Sequence, residues 1–312
     1  MKYLTDNQVA GLLTNSWELI IEKVESALIN KSGKMVPKVY LNAGNAGDFR
    51  AMPSSLESYG GIKWIGVFPN NRVHNLPTTL GTFILNDLST GRPLIAMDCT
   101  TLTAYRTAAT SAIAAKYCFP NARSFSFIGC GQQSKYHIQA YEAIYGTKHI
   151  DKIKVFDNDS TQMTKLHRWI CEKSVAQDVQ TATSVQDAVA DADVITTITP
   201  SRQPYLDANF LKKRCHVNAI GADAVGKREL MTNVIGNAAN VICDDYEQAS
   251  HSGELQYREW PNLHWPDFRV LNLSDVIQRH EEMKLNEGLS VFDSTGVAIE
   301  DIAMGILVYQ LQ

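Results

Sequence analysis

Apolar residues recur at three- and four-residue intervals near the start of the chain, at Val9, Leu12, Leu13, Trp17, Ile20, Ile21, Val24 and Leu28. That spacing predicts helix with one buried stripe, broken in two near Thr14-Asn15 and capped at its start by Asp6. From Met35 the pattern turns to short runs of strand character at 35–41, 48–52, 61–68, 79–86 and 93–97. Turn clusters such as Asn45-Ala-Gly and Ser89-Thr-Gly-Arg-Pro93 separate them, which predicts an antiparallel sheet. Residues 100–117 follow as a helix rich in Ala, Thr and Ser. Past Ser124, strand runs at 124–128, 152–156, 194–199, 216–219, 241–243 and 270–273 alternate with helical stretches. Repeated β-α units imply a parallel, doubly wound sheet. Residues 296–312, with Val297, Ile299, Ile302, Ala303, Ile306 and Val308, suit a last helix that adds no strand and packs back on the first domain.

Composition narrows the class. A chain of 312 residues has room for two domains. Its net charge of −4 gives no electrostatic reason to expect a nucleic-acid or anionic-membrane partner. No apolar run approaches the roughly 20 residues of a membrane span, and Met1-Lys-Tyr-Leu-Thr-Asp6 carries no apolar signal segment. The six cysteines are scattered without a CxxC pair, as expected of reduced, mostly buried thiols in a cytoplasmic protein. Neither they nor the eight histidines have metal-ligand spacing, so no metal is expected, and most histidines read as surface or satisfied core residues.

The chemistry begins at Ser126-Phe-Ile-Gly129-Cys-Gly131-Gln132-Gln133-Ser134, followed by Ile153-Lys-Val-Phe-Asp157. Strand, glycine turn, helix and a second strand ending in an acid form the layout of a dinucleotide site. Gly129 permits the turn, Gly131 lets the backbone approach a pyrophosphate, and the helix start offers unpaired N–H groups. Asp157, about 26 residues past Gly131, stands where an acid takes the ribose hydroxyls of NAD. Ser134 replaces the usual third Gly or Ala. A plain β-turn-α unit with Asp157 at a strand end is the alternative.

Lys63 sits in a strand that is otherwise apolar, Gly61-Ile-Lys63-Trp-Ile65-Gly-Val67. A buried ammonium calls for an anion, either a substrate or none if the lysine snorkels from a sheet edge. Arg106 is the one arginine of a helix of small and apolar residues; it either clamps a carboxylate or phosphate or makes an internal salt bridge. Asp223 follows the strand at 216–219 in a glycine-containing loop, where it exchanges a proton with substrate or caps a helix starting near Lys227. Thr199 ends another strand. Phe292-Asp-Ser-Thr-Gly296 either caps the last helix or lines a site.

Together with Ala51-Met-Pro-Ser, Arg106-Thr-Ala-Ala-Thr-Ser-Ala and Asn218-Ala-Ile-Gly-Ala-Asp223 with Gly226-Lys227, these segments resemble the ornithine cyclodeaminase/mu-crystallin family from about Met35 to the end. The resemblance implies an α/β fold, with a Rossmann doubly wound parallel sheet at 119–289. It also implies an α+β substrate-binding and dimerisation domain at 1–118 with 290–312, and a homodimer. It assigns Lys63 and Arg106 to the substrate carboxylate and Asp223 to proton transfer at the nitrogen, with Lys63 and Asp223 as the catalytic pair. Cofactor-contacting positions fall on Thr78, Arg106, Gly129, Gly131, Gln132, Gln133, Asp157, Thr199, Ile220, Asp223 and Lys227, with Ser294 and Thr295 near the nicotinamide. Lys38 stands where many members carry an arginine for the carboxylate; without the bidentate fork its role is open. Asp157 favours NAD(H), with NADP(H) the alternative, because a carboxylate there repels a 2′-phosphate.

Family activities include cyclodeamination of ornithine or lysine, alanine dehydrogenation, ketimine reduction and ligand binding without catalysis. Ornithine cyclodeaminase has a glutamate two residues before its Met-Pro; here that place is Arg50. A cation there opposes a substrate with a cationic tail, unless Arg50 turns to solvent. The sequence therefore leads to an NAD(P)H-dependent amino/imino-acid oxidoreductase. Reduction of a small cyclic ketimine of the Δ1-pyrroline-2-carboxylate type is the first expectation, and alanine dehydrogenase, ornithine cyclodeaminase and a crystallin-like binding protein are the alternatives. Retention of Lys63 and Asp223 opposes the last.

Overall fold

The computed structural model describes residues 1–146, 150–257, 270–283, 285 and 287–312. In chain order the first elements are β1 (Lys2–Leu4), α1 (Asp6–Leu13), α2 (Trp17–Ile29), β2 (Lys34–Met35), β3 (Val39–Asn42), β4 (Asp48–Leu56), β5 (Tyr59–Val67), β6 (Thr79–Asp87), β7 (Pro93–Asp98) and α3 (Thr100–Cys118). There follow β8 (Ser124–Ile128), α4 (Gln132–Tyr145), β9 (Lys152–Phe156), α5 (Ser160–Lys173), β10 (Asp178–Thr181), α6 (Val185–Val189), β11 (Val194–Thr197) and β12 (Cys215–Ala219). The chain closes with α7 (Thr232–Gly236), β13 (Asn240–Cys243), α8 (Tyr246–Ser252), β14 (Val270–Asn272), α9 (Leu273–Arg279), β15 (Leu289–Asp293) and α10 (Ala298–Leu311). Two units result, Met1–Ala109 with Gly296–Gln312, and Thr110–Thr295.

The first unit is built on a sheet of order β1-β7-β6-β5-β4-β2, with β3 also on β4. It is mixed rather than antiparallel, because β1 pairs parallel with β7. Three residues are too few for that strand to show in the hydrophobic pattern. The run expected at 35–41 divides into β2 and β3 around Pro37, which has no N–H to give a ladder. Register sorts the two faces. Met52, Lys63, Phe83 and Met97 form one cross-strand row, and all four are buried. The opposite face carries the rows Val39, Ala51, Trp64, Thr82 and Leu41, Phe49, Gly66, Leu80. On it Val39 is 59% exposed, Leu41 58%, Trp64 41% and Leu80 38%.

The helix break falls at Asn15, whose φ of 64° is left-handed. Asp6 does not cap the first helix. Thr5 precedes it, donating its backbone N–H to Gln8 Oε1 at 2.9 Å. The Asp6 carboxylate instead accepts the N–H and hydroxyl of Thr101, both at 2.8 Å, and so ties down the start of α3. α10 packs on α2 and on β4, β5 and β6.

The second unit holds eight parallel strands in the order β10-β9-β8-β11-β12-β15-β13-β14. Strand order reverses between β8 and β11, the switch point of a doubly wound sheet. β10 and β15 escape the sequence pattern. β10 is an edge strand with polar alternation, and β15 reads as a run leading into the last helix. Because β15 pairs with both β12 and β13, the chain leaves this unit at 295/296 and not at 289/290. The other boundary, expected at 118/119, falls at 109/110 inside the continuous helix α3.

Gly305 fixes how close α10 comes to the sheet: a Cβ there would stand 2.2 Å from Phe83 Cε1. We expect Gly305→Ala to cost about 1–3 kcal/mol by overpacking, read as a lower urea midpoint. An unchanged midpoint would mean that the helix can lift freely.

Candidate active site

The inward face of the first sheet gathers cations. Lys63 lies on β5 with its side chain fully buried, and its Nζ donates to Asp301 Oδ1 at 2.7 Å. Arg106 on α3 reaches the same oxygen with Nε at 3.1 Å and gives Nη1 to Glu300 Oε2 at 2.8 Å. Both acids are buried and consecutive on α10. Burial pulls the Lys63 ammonium below its usual value; Asp301 opposes this and the Arg106 guanidinium adds to it. Arg106 thus makes the internal salt bridges that the sequence left as an alternative to ligand binding. Two adjacent acids in an otherwise apolar last helix were the signal for them. Gly296, at φ +74°, leaves space for the guanidinium, since a Cβ there would meet Arg106 Nη1 at 2.4 Å.

Arg50 does not turn to solvent. It pairs with Ile65 while Met52 pairs with Lys63, which puts Arg50 and Lys63 on one face, diagonal neighbours across β4 and β5. Its Nε donates to Asp48 Oδ1 at 2.7 Å, and its guanidinium lies 5.5 Å from the centre of the Tyr40 ring. Lys38 is half-buried between β2 and β3, and Thr78 immediately precedes β6.

The remaining expected residues lie just past the carboxyl ends of β8, β9, β11, β12 and β15 in the second unit. Gly129 has φ +105°, and a Cβ on it would meet Ile198 O at 2.6 Å. Gly131, ahead of α4, faces open space. Ser134 earns its place in the third position: its hydroxyl donates to Gly129 O at 2.7 Å and braces the turn from below. Gln132 is exposed, and Gln133 Oε1 is buried without a partner among the described residues. The Asp157 carboxylate accepts Cys130 N–H at 2.7 Å and Asp159 N–H at 2.8 Å. These contacts hold the acid beside the glycine loop with lone pairs remaining for ribose hydroxyls. An open Gly131, a turn that excludes side chains and a fixed acid suit a dinucleotide.

Asp223 is half-buried in the loop after β12 and accepts from Lys227 Nζ at 2.5 Å. No helix starts near Lys227, so Asp223 is not the helix cap that was the alternative. Asp293 neither caps α10 nor faces outward. It is buried and accepts the N–H groups of Glu254 and Leu255 at 3.0 and 2.9 Å. Burial raises its carboxyl to about 7. Ser294 N–H donates to Ala219 O, and Thr295 gives its N–H and hydroxyl to Asp244 at 2.7 and 2.8 Å.

The residue the sequence reading missed in this unit is Glu229. Fully buried, it accepts from Thr197 Oγ1, Thr199 N, Thr199 Oγ1, Tyr205 Oη and Gly221 N, all within 2.7–2.8 Å. It ties the end of β11 to the loop carrying Ile220 and Asp223. Gly221 must be glycine because a Cβ would stand 2.2 Å from Thr199 O. The Glu229 N–H in turn donates to Glu254 Oε1 at 2.6 Å. Burial raises the Glu254 carboxyl well above its usual range. The signal available in sequence was a lone acid beside Lys227, which reads as surface.

Among the histidines, His137 and His216 are buried and hydrogen-bonded, and burial lowers His216 to about 4. Five cysteines are buried, Cys171 is exposed, and none is in a disulfide. Among the described residues no cluster has metal-ligating form, and no helix is long and apolar enough to cross a membrane.

The profile of the ornithine cyclodeaminase/mu-crystallin family matches residues 3–311. The chain belongs to this family. Alanine dehydrogenase of Archaeoglobus fulgidus is 35% identical over 98% of the chain and 94% of its own length. Δ1-Pyrroline-2-carboxylate reductase of Bacillus cereus is 30% identical over 83% of the chain and 80% of its own length. Among solved structures, an archaeal alanine dehydrogenase dimer with bound NAD superposes with a TM-score of 0.90 at 33% identity, covering all of this chain and 95% of that one. The fold expected for the family, α/β with a doubly wound parallel sheet, is the one observed, together with a second, mixed sheet.

We expect Glu229→Gln to turn an amide NH₂ onto hydrogen-bond donors and to cost about 2–3 kcal/mol, measured by urea unfolding. A midpoint within error of the parent would show that its five donors contribute little.

Proposed function

We propose that the protein is an NAD(H)-dependent oxidoreductase that interconverts a small α-amino acid and its α-imino acid. The observation that carries this reading is the placement of Arg50 and Lys63 on one buried sheet face, with Arg106 bound to the same Asp301 oxygen as Lys63. Such a set suits a carboxylate of a small molecule, held by point charge and by planar guanidinium. Holding the carboxylate fixes the neighbouring α-carbon, which hydride transfer requires. When bound, the nicotinamide supplies or takes up the hydride. Asp223 moves the proton at the substrate nitrogen, accepting it in the oxidative direction and returning it in the reductive one. Lys227 keeps Asp223 in place and paired with a cation between turnovers. Lys38 is assigned a supporting contact to the carboxylate.

Residues 129–134 would cradle the pyrophosphate, and Asp157 the adenosine ribose. A carboxylate at Asp157 favours NAD(H), and the NAD-bound neighbour supports this; NADP(H) is the second choice. Thr78, Gln132, Gln133, Thr199, Ile220, Ser294 and Thr295 complete the proposed cofactor contacts.

We put alanine dehydrogenation first among substrates, because the full-length similarity to a relative of that name is the highest of those described. Reduction of a cyclic ketimine is the second reading, supported by the Bacillus cereus relative. Ornithine cyclodeamination is disfavoured by Arg50, a buried cation where a cationic tail would need an acid. We assign the exposed face around Val39, Leu41, Trp64 and Leu80 to a homodimer contact, since it is apolar and the NAD-bound neighbour is a dimer. A cytoplasmic location fits six unpaired thiols.

The test is NADH consumption with pyruvate and ammonia, then with Δ1-pyrroline-2-carboxylate, then NAD⁺ reduction with L-alanine. Turnover with either imino acid supports the reading, and silence with all of them contradicts it. Asp223→Asn is expected to keep NADH binding and lose at least about a hundredfold in kcat, the scale of general acid–base catalysis. Near-parental rates would remove Asp223 from the chemistry. Asp157→Ser is expected to improve NADPH use relative to NADH, measured as the ratio of kcat/KM values. An unchanged ratio would place the ribose elsewhere.

A further inference from the structure

We propose that Asp301 is the positioning residue that presents Lys63 and Arg106 as one cationic clamp to the substrate carboxylate; this rests on the reading of those two cations as its anchors. A single oxygen carries the arrangement: Asp301 Oδ1 accepts from Lys63 Nζ at 2.7 Å and from Arg106 Nε at 3.1 Å. Shared in this way, the two side chains are held side by side although they come from β5 and α3. The neighbouring Glu300 takes Arg106 Nη1 at 2.8 Å, so the guanidinium plane is set by two consecutive acids of one helix. Gly296, just ahead of that helix, leaves the guanidinium room.

Charge points the same way. The groups that act most on Lys63 are Asp301 from α10, Arg106 from α3 and Cys99 from the link between β7 and α3, and Arg50 shares its buried sheet face as a diagonal neighbour across β4 and β5. The Cys99 thiol is pushed up to about 12 by burial and stays neutral. Asp301 is therefore the group that most favours the ammonium form of this buried lysine, while desolvation and Arg106 both favour the neutral amine. A neutral amine would hold a carboxylate poorly. Asp301 Oδ2, meanwhile, is buried and accepts no hydrogen bond among the described residues. Asp301→Asn can accordingly keep the shared acceptor and remove the charge without breaking a hydrogen bond.

The test uses the full-length dimeric enzyme with NADH and whichever imino acid it reduces, across about pH 6 to 10. For Asp301→Asn we expect KM for the carboxylate substrate to rise at least about tenfold with a smaller change in kcat. The alkaline limb of kcat/KM should move down by about one pH unit or more as Lys63 loses its proton earlier. The ¹³Cε signal of Lys63, assigned by its loss in Lys63→Arg, should titrate lower by a similar amount. An unchanged KM together with an unmoved limb would overturn the proposal. Should the variant fail to fold, the parent's Lys63 signal decides: an ammonium at about pH 7.5 supports it and a neutral amine overturns it. Should the parent turn over no imino acid, the functional reading falls, and the lysine titration alone then decides whether Asp301 holds Lys63 charged.

Discussion

A buried lysine beside a buried arginine is the constraint around which the first unit is arranged. Two like charges removed from water need compensation, and here it comes from Asp301 and Glu300 on the last helix. Losing one partner of such a group typically costs about 3–5 kcal/mol, because the other charge is left buried and unpaired. The final helix is therefore more than a closing element. Some 194 to 238 residues separate the partners in sequence, so the cluster forms only once the chain has returned to the first sheet. Burying ions is poor economy for stability, and apolar residues would serve a core better. Their presence in one buried cluster is what the proposed task, holding a small carboxylate, accounts for.

The second unit meets a similar problem with different means. Among the described residues Glu229 accepts from no cation; five donors from two strand ends and a tyrosine surround it instead. Donors of this kind position loops finely, because each fixes a direction as well as a distance. The chain of support continues through Glu254 and Asp293 by way of backbone N–H groups. In consequence the loops after β11 and β12, which carry Thr199 and Gly221, are tied to each other through one buried carboxylate.

Much of the fold could be read from the sequence where the pattern was regular. The strands at Ser124–Ile128 and Lys152–Phe156 and the helix from Thr100 follow from apolar runs and small-residue spacing. β1 and β10 could not, being edge strands of three and four residues, too short to show a pattern. β15 was hidden because a short run, Leu289-Ser-Val-Phe-Asp293, before a helix carries no sign of its neighbours. Within the site, residue type pointed to Lys63, Arg106 and Asp157, since charge in an apolar run and acid after a strand have local signatures. Their partners were less legible. Glu300, Asp301 and Glu229 gain meaning only from contacts made across the fold, and Ser134 looked like a defect in a fingerprint until its hydroxyl was seen to brace the turn. Asp6 illustrates the opposite error: its local context suits a cap, but it serves a helix almost a hundred residues away.

The central claim is that the buried cations of the first sheet exist to hold a substrate carboxylate. A crystal structure of the enzyme with NAD⁺ and the amino-acid product tests it most directly. The account predicts the product carboxylate within hydrogen-bond distance of Lys63 Nζ and the Arg106 guanidinium, with Asp301 still bridging the two. A carboxylate bound elsewhere, with the Lys63–Asp301–Arg106 cluster sealed off from it, would contradict the account.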